Sequence, residues 1–490
     1  MIRIYDSLSG KKLIVKKPKT RSLKLFVCGP TVYDLPHLGH SRTYLVFDIF
    51  VRYLRFQGWK VFYLQNITDV DDKIIQKAQK EKKQPLALAH FFEKKYLRDI
   101  KNLNIVSVSR YARASNFIPK IIKQVKILIK KGYAYKIENE GYYFDISKFP
   151  DYGKLSKRTR EQAEDAVSRI DESIKKKNKG DFCLWKFPKP KIPAKIAGSK
   201  NFVVYQSEPL WRTEIGWGRP GWHIEDTAIT ETFFGPQYDL HGGGVELKFP
   251  HHEAEIAQQE AASGKKPFVK IWMHTGLLFI NNQKMSKSLK NFVTIQDFLK
   301  KSIFKNPANV LRMIVLSHLY RKPINYTPSL AKDANVSLNV IEEFLEKLKM
   351  VIKNKNRQIP KGLKTTGIDK LIKKTENKFH QALEDDFNTA QALAVIFDFI
   401  SSCQKIIWDL NSASAQKILK FTEKTLKIFG LTIKPLKIPN KIIKLVKKRE
   451  LFRGNKQFIQ ADALRKKIKQ LGYELEDTPS GTFIKLTQNG

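Results

Sequence analysis

Two histidines three residues apart are the first candidates for chemistry in this sequence. They lie in the segment Pro36-His37-Leu38-Gly39-His40, between a predicted strand and a predicted helix. Their imidazoles could hydrogen-bond phosphate oxygens as charge redistributes at an α-phosphorus. The helix N-terminus favours anions, and the glycine lets a nucleotide come close. The alternative is an ordinary loop, because two nearby histidines by themselves do not define a site.

A basic segment, Lys284-Met285-Ser286-Lys287-Ser288, is the second candidate. It follows a predicted strand and is polar, so we expect a mobile loop. Its lysines could neutralise a triphosphate and stabilise departing pyrophosphate. A basic loop without function is the alternative in so lysine-rich a chain. The two segments lie on either side of a split predicted sheet, and their joint occurrence favours a nucleotide site.

The elements that must position these segments form a predicted βαβ unit. Residues 24–32 are a predicted buried strand, 41–56 a helix with its polar positions on one stripe, and 60–67 a second strand. In such a unit the histidine segment lies at the carboxyl end of a parallel strand. The sequence therefore predicts the start of a nucleotide-binding sheet.

Composition limits the class of protein. Lysine and arginine number 90 against 47 acidic residues, a formal net charge of +43 over 490 residues. This excess predicts salt-sensitive attraction to a polyanion, with a solvated lysine-rich surface as the alternative. Three widely separated cysteines give no disulfide framework and fit a reducing compartment. Without an apolar leader or a run of roughly 18 apolar residues, we expect a cytoplasmic protein that binds no membrane.

Longer segments carry a family resemblance. The two motifs resemble the HIGH and KMSKS signatures of class I aminoacyl-tRNA synthetases, with leucine for isoleucine in the first. Five segments are similar to the cysteinyl-tRNA synthetase family: CGPTVYD (28–34), NITDVDDK (66–73), GRPGWHIE (218–225), HGGG (241–244) and FPHHEAE (249–255). The resemblance extends from about residue 23 to about residue 482.

The resemblance implies activation of cysteine by ATP and its transfer to tRNA(Cys). It implies catalytic roles at the phosphates, together with Mg²⁺, for His37, His40, Lys284 and Lys287. The residues it implies at ATP are Gly39, His40 and Lys287. Those it implies in the amino-acid pocket are Gly29, Tyr33, Thr68 and Trp222. Trp222 would close over the amino-acid side chain, although a lone tryptophan usually belongs to a core.

The resemblance also implies one zinc ion, held by two cysteines, a histidine and a glutamate, which binds the substrate thiolate. A zinc-bound thiol deprotonates near neutral pH and a hydroxyl does not, so zinc can reject serine. Cys28, His251 and Glu255 match, but Asp226 stands where the family has its second cysteine. Aspartate can ligate zinc, although losing a thiolate lowers affinity for this metal. We expect zinc with Asp226 as a ligand; a substitute metal and no metal are the alternatives.

The lysine-rich C-terminal region could clamp RNA or merely stabilise the fold. The resemblance implies a helical bundle that includes ALEDDFNTA (382–390) and a terminal module in which Arg453, Asp462 and Asp477 read the anticodon. Arginine can donate two hydrogen bonds to a guanine edge, and a carboxylate can accept from base amino groups. Unpaired anticodon bases expose those edges. Solvated surface residues are the alternative.

We therefore predict an α/β fold: a split Rossmann-like parallel sheet with an insertion, then a helical bundle and a small mixed C-terminal domain. The length predicts three or four packed units. The predicted boundaries are 1–118 and 201–268 for the two catalytic halves, 119–200 for a connective insertion with a hairpin near residue 140, 269–318 for a connecting domain with the basic motif, 319–435 for a tRNA-binding bundle, and 436–490 for the anticodon-binding domain.

The expected partners are tRNA(Cys), ATP and L-cysteine, and we expect a monomer. One rival is a cysteine ligase acting on a small amine sugar, which the extra segment 441–490 argues against. Another is a non-catalytic RNA-binding homologue, which the two intact motifs argue against and Asp226 keeps open.

Overall fold

The computed structural model describes residues 1–158, 173–189, 201–285, 289, 291–354, 365–433 and 437–487. The chain divides into two compact units. The first comprises Met1–Ile303, His318–Tyr326 and Glu384–Phe387; the second comprises Phe304–Ser317, Thr327–Leu383 and Asn388–Gly490. The finer boundaries expected from the sequence stay predictions.

A five-stranded parallel sheet is the centre of the first unit. In spatial order its strands are β13 (Val269–Thr275), β12 (Tyr238–Gly244), β3 (Leu23–Val27), β4 (Val61–Ile67) and β5 (Arg110–Arg113). Leu25 of β3 lies opposite Leu240 on one side and Tyr63 on the other. The chain proceeds outward from β3 in both directions, so the carboxyl ends of β3 and β12 flank a topological switch point, where open α/β sheets bind ligands.

Helices pack on this sheet because its central strands are apolar on both faces. α1 (Leu38–Phe56), α5 (Trp222–Phe234) and α6 (His251–Ser263) contact its strands. The other helices of the unit are α2 (Asp72–Lys80), α3 (Pro85–Asn102), α4 (Ile118–Lys130) and α7 (Ile295–Lys301). The predicted βαβ unit is confirmed by β3, α1 and β4, with two differences at its ends. The strand stops at Val27 rather than at residue 32, since Pro30 has no N–H to donate to a ladder. The helix begins three residues early, inside the histidine motif.

A small antiparallel sheet takes three of its four strands from the predicted insertion, and the fourth, β11 (Arg219–Pro220), from the segment after it. Its order is β11, β8 (Phe182–Lys186), β7 (Gly141–Phe144) and β6 (Ala134–Ile137). The hairpin expected near residue 140 is confirmed by β6 and β7. Two further strands, β9 (Phe202–Tyr205) and β10 (Glu208–Trp211), pair with each other. Residues 159–172 and 190–200 of the predicted insertion lie outside the described residues.

Two smaller sheets complete the first unit. The chain starts with a hairpin of β1 (Arg3–Asp6) and β2 (Lys11–Ile14). The other sheet has the order β15 (Gln283–Lys284), β14 (Leu278–Ile280) and β16 (Ile324–Tyr326). Both strands predicted between residues 269 and 280 exist, but β13 and β14 belong to different sheets. The basic motif therefore begins on an element separate from the nucleotide-binding sheet.

The second unit is helical, with a small mixed end. Its helices include α8 (Pro307–Leu316), α9 (Pro328–Lys353), α10 (Thr365–Glu384), α11 (Thr389–Gln404), α12 (Ser412–Phe429), α13 (Asn440–Gly454) and α14 (Phe458–Gln470), and its hairpin is β17 (Tyr473–Thr478) with β18 (Gly481–Leu486). A core of Ile442, Val446, Ile468 and Leu475 joins the last elements. The predicted fold class is confirmed. Residues 355–364 and 434–436 of this unit lie outside the described residues. Among the described helices, none has the length and apolarity needed to cross a bilayer.

Candidate active site

Cys28, directly after β3, lies at the centre of a buried cluster of titratable side chains. Its Sγ is 3.6 Å from Asp226 Oδ2 and 3.9 Å from Glu255 Oε1. His251 Nε2 is 2.9 Å from the same Asp226 oxygen and 3.0 Å from the same Glu255 oxygen. One donor atom from each of the four residues lies within 4.8 Å of the others. The structure thus brings together the four residues expected to hold a metal.

Two helices that pack on the sheet supply the partners of Cys28. Asp226 lies in the first turns of α5, and His251 and Glu255 lie on α6. The last two are four residues apart, so they share one face of the helix. His251 Nδ1 is 2.9 Å from His223 Nδ1, and its ring stacks on Trp222 with centroids 4.2 Å apart. These contacts hold the imidazole with Nε2 turned toward the cluster.

The electrostatics of this cluster suit a cation. Burial, together with the carboxylates of Glu255 and Asp226, raises the pKa of the Cys28 thiol well above its usual value. Burial by itself would lower the pKa of His251, but the same two carboxylates raise it to about 9. Among the described residues, Asp226 Oδ1 and Glu255 Oε2 are buried without a hydrogen-bond partner. Buried anionic donors are costly unless a cation compensates them, so these residues fit a divalent metal ion.

Two more histidines, which sequence analysis noted only as parts of family segments, lie beside Cys28. Cys28 Sγ is 3.3 Å from His241 Nε2 and 3.1 Å from His252 Nε2. His241 lies in β12, beside β3, and His252 follows His251 on α6. The segment HGGG was visible in the sequence as part of a family motif. That this segment ends a strand paired with β3, and so places His241 beside Cys28, became visible only in the folded chain.

The expected pocket residues lie around the same strand ends. A Cβ on Gly29 would meet the backbone oxygen of Asn66 at 1.8 Å, so only glycine fits at that point. Thr68 Oγ1 donates to Oε2 of the fully buried Glu225 at 2.9 Å. Burial and the nearby Asp226 raise the pKa of Glu225 well above its usual value. Glu225 is a further buried group here that sequence analysis did not single out.

Tyr33 lies between β3 and α1. It is half-buried, and the ammonium of Lys73, near the start of α2, lies 5.7 Å from its ring centroid. Its place in the amino-acid pocket stays a prediction.

The histidine motif forms the first turn of α1 rather than a loop before it. His37 is the N-cap: its Nδ1 accepts from the Gly39 N–H at 3.0 Å, and His40 Nδ1 accepts from the His37 N–H at 3.3 Å. This reciprocal capping starts the helix early. Burial lowers the pKa of His37 to about 4 and that of His40 well below its usual value. Both rings are therefore neutral near pH 7, and each carries its proton on Nε2.

The start and the flank of the basic motif contact the histidine motif. The Leu38 N–H donates to the Val293 carbonyl at 3.1 Å, and the Ile295 N–H donates to the Pro36 carbonyl at 2.9 Å. The methyl carbon of Met285 lies near Gly39, 3.1 Å from the position a Cβ would take there. Lys284 is exposed at the end of β15. Lys287 lies outside the described residues, so its predicted place at the phosphates stays a prediction.

Two of the three predicted anticodon residues pair with each other. Asp477 on β17 forms ion pairs with Arg453 and Arg449 of α13, and Arg449 Nη2 donates to Asp477 Oδ2 at 2.7 Å. Arg449, which sequence analysis missed, holds the pKa of Asp477 well below its usual range. Asp462 is exposed on α14. The module therefore presents an arginine–carboxylate cluster beside an exposed carboxylate.

Comparison with known proteins decides the family. The family described as the tRNA synthetases class I (C) catalytic domain matches residues 14–336, and the DALR domain matches residues 378–434. The cysteine–tRNA ligase of Thermococcus gammatolerans is 38% identical over 495 residues, with 99% of both chains covered. The chain belongs to the cysteine–tRNA ligase family. The member from Coxiella burnetii is also 38% identical, over 492 residues and 98% of each chain.

Solved structures of other class I synthetases share the fold of this family member. Methionyl-tRNA synthetase of Mycobacterium tuberculosis, in complex with methionyl-adenylate, superposes with a TM-score of 0.58 at 15% identity, over 84% of this chain and 90% of that chain. The LeuRS of Agrobacterium radiobacter K84, in a ternary complex with tRNA and LeuAMS, has a TM-score of 0.60 at 10% identity, over 87% and 88%. At such identities the likeness concerns the fold alone, and it agrees with the predicted fold class.

Proposed function

We propose that this chain activates cysteine with ATP to cysteinyl-AMP and transfers the cysteinyl group to the 3′ end of tRNA(Cys). The observation that carries this function is the buried Cys28 cluster at the end of β3, immediately before the capped N-terminus of α1. A nucleotide-binding helix end and a thiol-selective cluster thus follow the same strand. The match to cysteine–tRNA ligases over nearly the full chain supports the same conclusion.

In the activation step, the cysteine carboxylate attacks the α-phosphorus of ATP and pyrophosphate leaves. His37 and His40 accept backbone N–H groups at Nδ1, so each donates through Nε2 to phosphate oxygens. Lys284 and Lys287 would neutralise the triphosphate, and Mg²⁺ enters as part of the ATP substrate. No covalent enzyme intermediate is needed, because the substrate carboxylate itself attacks the phosphorus. Positioning and electrostatics supply most of the rate enhancement.

For selection of the amino acid, the ligand set we propose is Cys28, Asp226, His251 and Glu255 around a zinc ion. Bound there, zinc would take the substrate side chain as a thiolate, which the hydroxyl of serine cannot match near neutral pH. Trp222, stacked on His251, keeps that imidazole in orientation. Asp226 Oδ1 and Glu255 Oε2 accept no hydrogen bond within the described part of the chain. This supports a cation at this place rather than a purely hydrogen-bonded cluster.

For the tRNA, we propose that Arg453, Asp462 and Asp477 read the anticodon. The ion pair between Arg453 and Asp477 holds the guanidinium in a fixed direction, which favours bidentate recognition of a base edge. The excess of 43 positive charges supports binding to the RNA backbone. We expect the chain to act as a monomer in the cytoplasm.

Pyrophosphate exchange tests the proposed function. The purified chain should exchange labelled pyrophosphate into ATP with cysteine and only weakly with serine, and it should charge a tRNA(Cys) transcript. Lys287→Ala should depress exchange while cysteine binding is spared, whereas Lys301→Ala, an exposed lysine on α7, should change neither. Absence of cysteine-dependent exchange in folded, zinc-supplied protein would refute the proposal. No feature of the described residues favours the amine-sugar ligase or the non-catalytic homologue.

A further inference from the structure

The cavity around Cys28 contains more metal-binding groups than one tetrahedral ion needs. Besides Cys28, Asp226, His251 and Glu255, it holds the imidazoles of His241 and His252. A donor set of Cys28, His241, His252 and Glu255 also lies within 4.8 Å, and all four of its side chains are buried. The two sets share the thiol and the glutamate, and they differ in the remaining pair of ligands.

Glu255 faces both sets. Its Oε1 lies 3.0 Å from His251 Nε2, whereas its Oε2 lies 3.5 Å from His241 Nδ1, the ring nitrogen that also contacts Tyr238. Oε2 is buried and, within the described part of the chain, accepts no hydrogen bond. A single carboxylate therefore offers one oxygen to the Asp226 side of the cavity and the other to the histidine side.

Partners hold the two additional histidines in ligand orientation. His241 Nδ1 is 2.6 Å from the hydroxyl of Tyr238, and His252 Nδ1 is 2.8 Å from His274 Nε2. Both rings consequently direct Nε2 at Cys28 Sγ. Metal-binding histidines almost always have their second nitrogen held in this way. The contacts are thus those of a built site rather than of histidines that only fill space.

The chemistry of the two donor sets makes the second one competitive with the first in this chain. With Asp226 in place of a cysteine, the first set supplies one sulfur, one nitrogen and two oxygens; the second supplies one sulfur, two nitrogens and one oxygen. Zinc prefers imidazole to carboxylate. A divalent ion balances the charge of the two anionic ligands in the second set.

We propose that Cys28, His241, His252 and Glu255 form a second position for the same divalent ion, which remains bound there when Asp226 and His251 are removed. This inference rests on the proposed zinc site, because the two positions share Cys28 and Glu255. The ion would thus have two adjoining positions in one cavity, and the replacement of a thiolate by Asp226 makes the second one competitive.

The test uses full-length protein, zinc and Co²⁺ as probes, and the double variant Asp226→Ala/His251→Ala. We expect it to bind one ion per chain, with a dissociation constant within about tenfold of the wild-type value, and to keep the thiolate-to-cobalt absorption band. Adding His252→Ala should weaken binding by more than about a hundredfold, since even the outer partners of ligands are worth 10–100-fold. Loss of the ion in the double variant, or binding indifferent to His252→Ala, would overturn the inference.

Two controls keep the result interpretable. If the double variant does not fold, the single variant Asp226→Asn is used instead. X-ray absorption of the zinc bound to this variant should show two imidazole ligands. A single imidazole ligand would overturn the inference. Cysteine-dependent pyrophosphate exchange in wild-type protein separates the two claims. Cysteine-dependent exchange by protein without any bound ion would refute the second position but not the proposed function. A bound ion without exchange would refute the proposed function but not the second position.

Discussion

Arg42, two residues after the histidine motif, connects that motif with the sheet that carries the start of the basic motif. It lies on α1 with no exposed surface, and it donates to the backbone carbonyls of Leu277, Tyr320 and Lys322, the Tyr320 bond being 3.0 Å long. Leu277 directly precedes β14, and Tyr320 and Lys322 lie within four residues of the start of β16. These two strands belong to the sheet whose third strand, β15, ends at Lys284. One guanidinium therefore fixes the basic motif's sheet against the helix that begins with the histidines.

The substitution Arg42→Met removes this connection while keeping most of the side-chain volume. Three buried carbonyls lose a charged donor, at about 1–2 kcal/mol each. Part of this loss is offset because methionine avoids burying a charge, a cost visible in the pKa of Arg42, which burial lowers to about 10. We expect a net loss of about 3 kcal/mol, within the range for a broken buried charged network. For a unit of roughly 300 residues, that corresponds to a melting temperature lower by roughly 4–5 °C.

Function should change selectively, because the connection joins the two segments that we propose to bind ATP. We expect the KM for ATP in pyrophosphate exchange to rise and the KM for cysteine to stay unchanged. Thermal unfolding followed by circular dichroism, together with exchange kinetics, measures both effects. The control is Arg98→Met on α3, an exposed arginine whose ion pair with Asp99 is 3.7 Å long, which should cost less than about 1 kcal/mol. A melting temperature within 2 °C of wild type, or equal changes in both KM values, would refute this reasoning.

Three further predictions concern other parts of the chain. Gly29→Ala puts a Cβ 1.8 Å from the Asn66 carbonyl oxygen and displaces the strand end; we expect cysteine-dependent exchange to fall by about a hundredfold. Asp477→Asn removes the bidentate partner of the buried Arg449; the KM for tRNA should rise about tenfold while pyrophosphate exchange is unchanged. Burial alone would raise the pKa of Asp239, but its arginine and lysine partners lower it to about 2. Asp239→Asn should therefore cost about 1–2 kcal/mol at pH 7, the lower end allowing for solvent screening.

The sign of the Asp239 effect follows from the lowered pKa. A carboxyl whose folded pKa is below its unfolded value stabilises the fold at neutral pH, and that contribution is lost as pH falls from about 4 to about 2. The stability difference between wild type and Asp239→Asn in chemical denaturation should shrink over that window, and a constant difference would contradict it. For Gly29→Ala, unchanged exchange would contradict the close approach. For Asp477→Asn, an equal loss of exchange would indicate a structural rather than an RNA-binding role.

Several features of the fold could be predicted because their signals are local in the chain. The apolar run ending at Gly29, the striped helix after it and the next β-rich run predict a βαβ unit, and the structure has it. The two helices and the strand tail of the last 50 residues were predictable for the same reason. Element ends were less predictable: α1 begins at Leu38 because two histidine side chains cap its backbone, and periodicity does not report side-chain capping.

The sequence by itself determined which donors are present; only the tertiary structure decided which of them meet. Cys28, Asp226, His251 and Glu255 were predictable as one set through family resemblance, since their segments match long motifs. That His241 and His252 face the same sulfur depends on β12 pairing with β3 and on α6 packing over that pair. Strand order and helix packing arise from contacts between residues more than 200 positions apart, which no local pattern encodes.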